Sequence, residues 1–167
     1  MSLFGKVHKY GDDIDTDVIF PGKYLSITEP RDMAPHCLEG IDPEFSKRVR
    51  QGDIVVAGEN FGSGSSREQA PLALANAGVA CVVAKSFARI FYRNAINLAL
   101  PILVSPEAVA AAEPGDEMGI DLGSGVMTVR GQTFRAAPFP PELQQLMSAG
   151  GLVAYVRQEL ARCAAQS

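Results

Sequence analysis

Residues 53–84 read DIVVAGENFGSGSSREQAPLALANAGVACVVA. Two short apolar runs, 53–58 and 79–84, are typical of buried strands. Between them lie a glycine- and serine-rich loop, residues 59–69, and a helix, residues 70–78, which ends at a glycine. Strand, loop, helix and strand in this order predict a βαβ unit with a right-handed crossover, and therefore an α/β fold.

The loop between the first strand and the helix is a candidate binding site. It follows the carboxyl end of a strand, where open α/β sheets bind ligands, and N–H groups at a helix start favour an anion. Arg67 adds a planar set of donors suited to a carboxylate or a phosphate. Pro71 is tolerated only in the first helical turn, so the helix begins no earlier than about Glu68. Ser65 and Ser66 therefore lie in the loop, where their hydroxyls can face a ligand.

Other interpretations of the two polar segments stay open. The loop fits a structural turn with capping serines, or a stand-alone anion- or nucleotide-binding module, although it lacks the dinucleotide, P-loop and hydrolase-elbow patterns. The acidic turn 11–22 carries the alternating aspartates Asp13, Asp15 and Asp17. It fits a solvated turn or a magnesium-dependent phosphotransferase site, but not an EF-hand, whose glycine and glutamate positions are occupied by other residues.

Shorter elements are predicted along the rest of the chain. A strand is expected at residues 3–10, a helix at 41–51 with Asp42 as its N-cap, and a helix at 86–100 capped by Ser86. Residues 23–39 lack periodicity and predict a long, mobile loop with a helical turn or two, which is often functional. The remaining predictions are strands at 101–104, 117–122, 126–129 and 133–136, a helix at 106–112, and C-terminal helices within 141–165.

Composition limits the class of protein. The chain has 167 residues, 47% hydrophobic and 20% charged, which predicts one folded domain spanning residues 1–167. A net charge of −4 argues against a nucleic-acid partner, and no apolar stretch long enough for a membrane span or a signal peptide is evident. Three widely spaced cysteines, Cys37, Cys81 and Cys163, predict reduced thiols in a cytoplasmic protein and no metal bound by this chain.

Four segments taken together resemble one known family, the small subunits of 3-isopropylmalate dehydratase. This family is the swivel-domain half of the split aconitases, and the resemblance is strongest to its short archaeal and bacterial type. The segments cover nearly the whole chain in order: GDDIDTDVIFPGKYL (11–25), GDIVVAGENFGSGSSREQAPLAL (52–74), KSFARIFYRNAINLALPIL (85–103) and PFPPELQQLMSAGGLVAYV (138–156).

The resemblance implies an aconitase-like swivelling β/β/α domain. It implies a hydro-lyase that interconverts 2-isopropylmalate and 3-isopropylmalate, a step of leucine biosynthesis, by removing and re-adding water. The family's [4Fe-4S] cluster binds the substrate hydroxyl and is carried by a separate large subunit, which agrees with the lack of clustered cysteines here. The expected partners are therefore that iron–sulfur subunit and a small hydroxy-dicarboxylic acid. Self-association of the isolated chain is also expected, because a surface meant for a partner is rarely left bare.

The resemblance also implies roles for residues of two motifs. Ser65 aligns with the catalytic base, a serine that works as an alkoxide, and Ser66 and Arg67 align with substrate-binding residues. Asp17 aligns with an active-site aspartate. The substrate-specificity loop corresponds to Tyr24, Leu25, Ser26, Ile27 and Thr28.

The composition of the specificity loop favours one kind of substrate. Leu25 and Ile27 are apolar, and the loop has no arginine, so an alkyl substituent such as isopropyl or methyl is favoured over a third carboxylate. Citramalate and 2,3-dimethylmalate stay open as substrates, since a pocket distinguishes one methylene by only about 1–3 kcal/mol. Aconitate and homoaconitate are less favoured but stay open, because Lys23 or Arg31 could reach the substrate.

Overall fold

A seven-stranded mixed sheet forms the centre of the computed structural model, which describes residues 1–165. The order across the sheet is β4-β3-β2-β1-β5-β6-β7. The strands β1 to β4 are parallel to one another, and β5 to β7 continue the sheet in antiparallel fashion. The predicted α/β class with a mixed sheet is confirmed. The strands are β1 Ser2–Lys9, β2 Ile54–Ala57, β3 Cys81–Ala84, β4 Ile102–Val104, β5 Glu117–Asp121, β6 Val126–Val129 and β7 Gln132–Arg135.

Short helices connect and cover these strands. They are α1 Thr16–Ile19, α2 Pro30–Met33, α3 Phe45–Arg48, α4 Gln69–Ala77, α5 Arg89–Asn97, α6 Pro106–Ala111, α7 Pro141–Ala149 and α8 Leu152–Ala165. Within the described chain, no helix has the length and apolar character that crossing a bilayer requires. The segment β2–α4–β3 is the predicted βαβ unit, and Gly78 ends α4 in the left-handed conformation with a φ of 108°.

The core lies around β2 and β3. All eight residues of these two strands are buried, as expected for parallel strands covered on both faces. The strand β1 joins the two halves of the sheet. Its first part pairs with β5, beginning with Ser2 opposite Asp121, and its last part pairs with β2, beginning with Val7 opposite Ile54. The parallel strands β1, β2 and β3 consequently end at one edge of the sheet.

The predicted helix at 41–51 is wrong, because only one turn of it, α3, is helical. Asp42 does not cap it. Its carboxylate accepts hydrogen bonds from Arg48 Nη2 at 2.6 Å and from Tyr10 Oη at 2.8 Å. The guanidinium of Arg48 is the main cause that holds the pKa of Asp42 below its usual value. The Asp42 carboxylate thus joins the last residue of α3 to Tyr10 after β1, and burial of Phe45 fixes the turn in place.

The predicted N-cap Ser86 is also wrong. The helix α5 begins three residues later, and its N-cap position is occupied by Ala88. The Ser86 hydroxyl instead donates to Glu59 Oε2 at 2.6 Å and accepts from the N–H of Asn60 at 2.8 Å. It therefore ties the end of β3 to the loop that follows β2.

Residues 23–39 consist of short helical turns: a 3₁₀ turn that ends at Tyr24, the helix α2, and a second 3₁₀ turn that ends at His36. Glu39 closes the segment, because its two oxygens accept from Tyr24 Oη at 2.9 Å and contact His36 Nδ1 at 3.0 Å. The rings of Tyr24 and His36 stack with centroids 3.7 Å apart. Hydrogen bonds from Tyr24 and then His36 lower the pKa of Glu39. The mobility of this segment stays a prediction.

A buried carboxylate fastens β1 to the start of β2. Asp53 Oδ2 contacts His8 Nε2 at 2.8 Å and accepts from the N–H of Arg50 at 2.9 Å, and Oδ1 accepts from the N–H of Lys6 at 3.1 Å. Burial alone would raise the pKa of Asp53, but the hydrogen bonds from His8 and from the backbone outweigh it, so the pKa lies below its usual value.

We predict that Asp53→Asn lowers the free energy of unfolding by about 2 kcal/mol at pH 7, because hydrogen bonds to a buried charge are lost. A depressed pKa stabilises the fold above the unfolded value of about 4, and this contribution is lost as the pH falls through the folded value. The difference between wild type and variant should therefore shrink below about pH 4. Urea unfolding followed by circular dichroism at several pH values measures it.

The matched control is Asp32→Asn, since Asp32 is exposed on α2. It should change the free energy of unfolding by less than about 0.5 kcal/mol. Equal effects of the two substitutions would contradict the structural role of Asp53.

Candidate active site

The candidate site lies where β1, β2 and β3 end. The acidic turn, residues 11–22, follows β1, and the loop of residues 58–68, here called the serine loop, follows β2. Two backbone hydrogen bonds join them: the N–H of Gly62 donates to Ile14 O at 2.7 Å, and the N–H of Thr16 donates to Ser63 O at 2.8 Å. The two segments therefore continue the parallel pairing of β1 and β2 beyond the strands.

The serine loop is also fastened to the segment that follows β3. The N–H of Phe61 donates to Ser86 O at 3.0 Å, and the N–H of Ala88 donates to Phe61 O at 2.9 Å. Gly62 has a φ of +82°, and a Cβ added there would lie 2.1 Å from Cγ of the buried Phe91 in α5. A glycine is required at this position because the backbone itself packs on an aromatic ring.

Three aspartates of the acidic turn accept hydrogen bonds from N–H groups of the protein itself. Asp15 Oδ1 accepts from the N–H of Val18 at 2.8 Å and caps α1. Asp12 Oδ1 accepts from the N–H of Glu59 at 2.7 Å, and Asp13 Oδ1 accepts from Asn60 Nδ2 at 3.0 Å. Asp12 and Asp13 thus anchor the serine loop, and these carboxylates do not converge on a common centre in the part of the chain that the structure describes.

The structure brings Asp17 and Arg67 together. Arg67 Nη1 donates to Asp17 Oδ1 and lies 3.5 Å from Phe20 O. The Asp17 side chain is 63% exposed and that of Arg67 is 20% exposed, so the pair lies at the surface. Within residues 1–165, Nη2 and Nε of Arg67 have no acceptor, which leaves two nitrogens of the guanidinium for a ligand.

Ser65 and Ser66 lie beside this pair, outside the helix. The helix α4 begins at Gln69, as the position of Pro71 predicts, and both serines are exposed. Their neighbours are two polar residues that were not among the predicted site residues. Thr16 Oγ1 lies 3.3 Å from Ser65 Oγ, and Asn94 Nδ2 of α5 donates to Ser66 O at 3.4 Å. Only the place of Thr16 between two aspartates could have directed attention to it.

A groove of about 410 Å³ opens next to Ser66, between the specificity loop and the first turns of α4. No lysine or arginine is among its lining residues, which are Leu25, Ile27, Thr28, Met33, Ser66, Glu68, Gln69 and Leu72. Of the predicted specificity loop, Tyr24 and Ser26 do not line the groove, and Tyr24 is engaged with Glu39.

The two cations that could have reached the substrate lie elsewhere. Lys23 Nζ pairs with Glu39 Oε1 at 3.4 Å and lies over the Tyr24 ring, and its contacts with Tyr24 and then with Glu39 raise the pKa of Lys23. Arg31 lines a different cavity, together with Ser46 and Asn76. Among residues 1–165, the only charged residue that lines the groove is therefore Glu68, a carboxylate. Such a groove suits an alkyl group and disfavours a substrate carboxylate.

The cysteines do not fit an iron–sulfur cluster. Cys37 and Cys81 are buried and form no disulfide, and burial raises the pKa of both thiols. Cys163 lies far along the chain, on the exposed surface of α8. No group of three histidine, cysteine or carboxylate side chains among residues 1–165 is placed to hold a metal ion.

The chain is similar in sequence to known proteins over nearly its whole length. The family model of the aconitase C-terminal domain matches residues 13–107. The chain is 57% identical over 162 residues to the 3-isopropylmalate dehydratase small subunit of Moorella thermoacetica, covering 96% of this chain and 98% of that protein. It is 54% identical over 158 residues to the 2,3-dimethylmalate dehydratase small subunit of Eubacterium barkeri, covering 93% and 97%.

Solved structures show the same relationship. The crystal structure of 3-isopropylmalate dehydratase from Methanocaldococcus jannaschii superposes with a TM-score of 0.94 at 43% identity and covers all of both chains. Aconitase X of Thermococcus kodakaraensis, 16% identical with a TM-score of 0.52, shares the fold alone. The chain belongs to the aconitase C-terminal domain family, and the predicted swivel-domain fold is confirmed. Within that family it belongs with the dehydratase small subunits, such as the Moorella protein.

We predict that Gly62→Ala lowers the free energy of unfolding by about 3 kcal/mol, because the methyl group collides with Phe91 and the residue is held at a positive φ. Gly115→Ala is the matched control. Gly115 has a similar φ of +85°, but a Cβ there meets nothing within 4 Å. Its cost should be only about 1 kcal/mol, from the backbone conformation. Chemical denaturation measures both values, and equal costs would contradict the packing of the serine loop on α5.

Proposed function

We propose that this chain is the small subunit of a heteromeric hydro-lyase that interconverts 2-isopropylmalate and 3-isopropylmalate by dehydration and rehydration. The observation that carries the proposal is the placement of Ser65, Ser66 and Arg67 beside a groove without a cation. The site offers a candidate base, donors for a carboxylate, and a surface for an alkyl group. A 2-alkylmalate presents the matching three features.

Arg67 is proposed to bind a substrate carboxylate. A guanidinium can hold a carboxylate through two parallel hydrogen bonds, and Nη2 and Nε are the atoms available for it. Asp17 is proposed to act in catalysis by holding Nη1, because that contact fixes the plane of the guanidinium before substrate arrives. The nearby start of α4 adds a favourable electrostatic contribution for an anion.

Ser65 is proposed to be the general base. Its oxygen would take the proton from the carbon next to a carboxylate, the electrons of the C–H bond would form the double bond, and the substrate hydroxyl would leave. Rehydration then occurs in the opposite orientation: Ser65 returns the proton to the carbon that lost the hydroxyl, and the hydroxyl bonds to the carbon that lost the proton. A serine is a weak base at its ordinary pKa, so its anion needs donors around it and exclusion of water, and both are expected when a partner covers the exposed loop.

The groove supports an alkylmalate as substrate. Leu25, Ile27, Met33 and Leu72 offer apolar contacts to an isopropyl or methyl group, and the absence of a lysine or arginine disfavours a third carboxylate. The dimethylmalate alternative is kept because a small subunit named for that substrate is nearly as similar as those named for 3-isopropylmalate.

A large subunit is proposed to complete the site. Naming of the relatives as small subunits supports a heteromeric complex. The cysteines of this chain do not form a ligand set, so we assign the [4Fe-4S] cluster to the large subunit. We place the complex in the cytoplasm, where the buried thiols of Cys37 and Cys81 stay reduced.

The test is an anaerobic reconstitution of the chain with its cognate large subunit. Ultraviolet absorbance of the unsaturated acid follows turnover with isopropylmaleate, citraconate, dimethylmaleate and cis-aconitate. We expect turnover only in the mixture, the highest kcat/KM for an alkyl-substituted acid, and a much lower value for cis-aconitate. A preference for cis-aconitate would contradict the substrate class, and turnover by the isolated chain would contradict the need for a partner.

We predict that Ser65→Ala lowers the kcat of the reconstituted complex by about 10³-fold or more, because the proton acceptor is removed. Assembly with the large subunit, measured by analytical ultracentrifugation, should be unchanged. Ser148→Ala, on the exposed surface of α7, is the matched control and should keep full activity. An active Ser65→Ala complex would refute the role of this serine.

We predict that Arg67→Lys raises KM by about tenfold or more, because a bidentate contact becomes a single ammonium contact. The effect on kcat should be smaller. Steady-state kinetics with the best alkyl substrate measures both parameters. The control is Arg162→Lys on α8, far from the site in sequence and paired with Glu159. Unchanged kinetics for Arg67→Lys would exclude Arg67 as the carboxylate ligand.

A further inference from the structure

Thr16 is a buried residue whose hydroxyl contacts the proposed base. It is 1% exposed, and its Oγ1 lies 3.3 Å from Ser65 Oγ. A buried hydroxyl is expected to have a hydrogen-bond partner. Among residues 1–165, Ser65 is the partner that the structure gives to the Thr16 side chain. Neither the proposed chemistry nor the relatives' names assign a role to this contact.

The backbone around Thr16 is firmly held. Its N–H donates to Ser63 O at 2.8 Å, and its own carbonyl accepts from the N–H of Phe20 at 2.9 Å as the first residue of α1. A threonine has few χ1 rotamers, so a fixed backbone leaves its hydroxyl few directions. Gly64 provides the necessary room, because a Cβ at that position would lie only 3.2 Å from Thr16 Oγ1.

Ser65 has the opposite character. It is exposed, and an exposed serine samples several rotamers. A contact with a rigid, buried hydroxyl selects one of them. We propose that Thr16 is a positioning residue that orients Ser65 through this hydroxyl contact, an inference that rests on Ser65 being the base. When the Ser65 oxygen carries negative charge, Thr16 donates to it, and such a hydrogen bond is stronger than one between neutral groups.

The inference predicts a loss in kcat with little change in KM. Thr16→Val keeps the shape of the side chain but removes the hydroxyl, and kcat should fall by about tenfold, the effect of losing one hydrogen bond to a charged group. KM should change by less than about twofold, because Thr16 does not contact substrate in the proposed mechanism. Thr16→Ser restores the hydroxyl and should bring kcat to within about threefold of wild type.

The variants are measured in the reconstituted complex, with the melting temperature and the affinity for the large subunit recorded for each. Thr133→Val, exposed on β7, is the matched control for the substitution itself and should match wild type. Thr16→Ala serves as a second hydroxyl-free variant should valine disturb the packing, and it should show the same selective fall in kcat.

Three outcomes would decide against the positioning role. They are a kcat in Thr16→Val equal to that of wild type, equal losses in Thr16→Val and Thr16→Ser, or a change confined to KM or to assembly. Failure of the proposed function looks different. In that case the wild-type complex itself shows no turnover with any of the four unsaturated acids, although it assembles.

Discussion

The backbone pairing between the acidic turn and the serine loop is the constraint on which the rest of the site depends. Two hydrogen bonds, from Gly62 to Ile14 and from Thr16 to Ser63, hold together segments that are about fifty residues apart in sequence. They form because β1 and β2 are parallel neighbours, so whatever follows them emerges at the same edge. Without this pairing, Asp17 would not reach Arg67, and Thr16 would not reach Ser65.

The three side chains of the motif Asp15-Thr16-Asp17 each make a different contact. Asp15 caps α1 and so orients the two residues after it, Thr16 contacts Ser65, and Asp17 holds Arg67. The serine loop offers the complementary feature, since the glycines at 62 and 64 allow close approach to Phe91 and Thr16. Reactive groups thus lie on a loop that is rigid where it is anchored and exposed where a ligand and a partner would bind.

Much of the fold could be predicted from the sequence because it depends on local patterns. Apolar runs bounded by glycines predicted β2 and β3, and Pro71 alone located the start of α4. The two wrong caps, Asp42 and Ser86, failed for one reason. Each side chain had the right chemistry for a helix start but is bound by other groups: Asp42 by Arg48 of α3 and by Tyr10, and Ser86 by Glu59 and Asn60. Tyr10, Glu59 and Asn60 compete from other elements, about thirty residues away. Such competition is invisible in a local window of sequence.

The sequence by itself determined the fold class, the βαβ unit, and a short list of residues able to bind an anion. Glycine, proline and apolar spacing act within a few residues, so their meaning does not depend on the rest of the chain. Only the tertiary structure decided that Asp17 contacts Arg67, that Thr16 contacts Ser65, and that neither Lys23 nor Arg31 lines the groove. The two contacts join residues about fifty positions apart, and they exist because the parallel strands β1 and β2 bring their loops to one edge of the sheet.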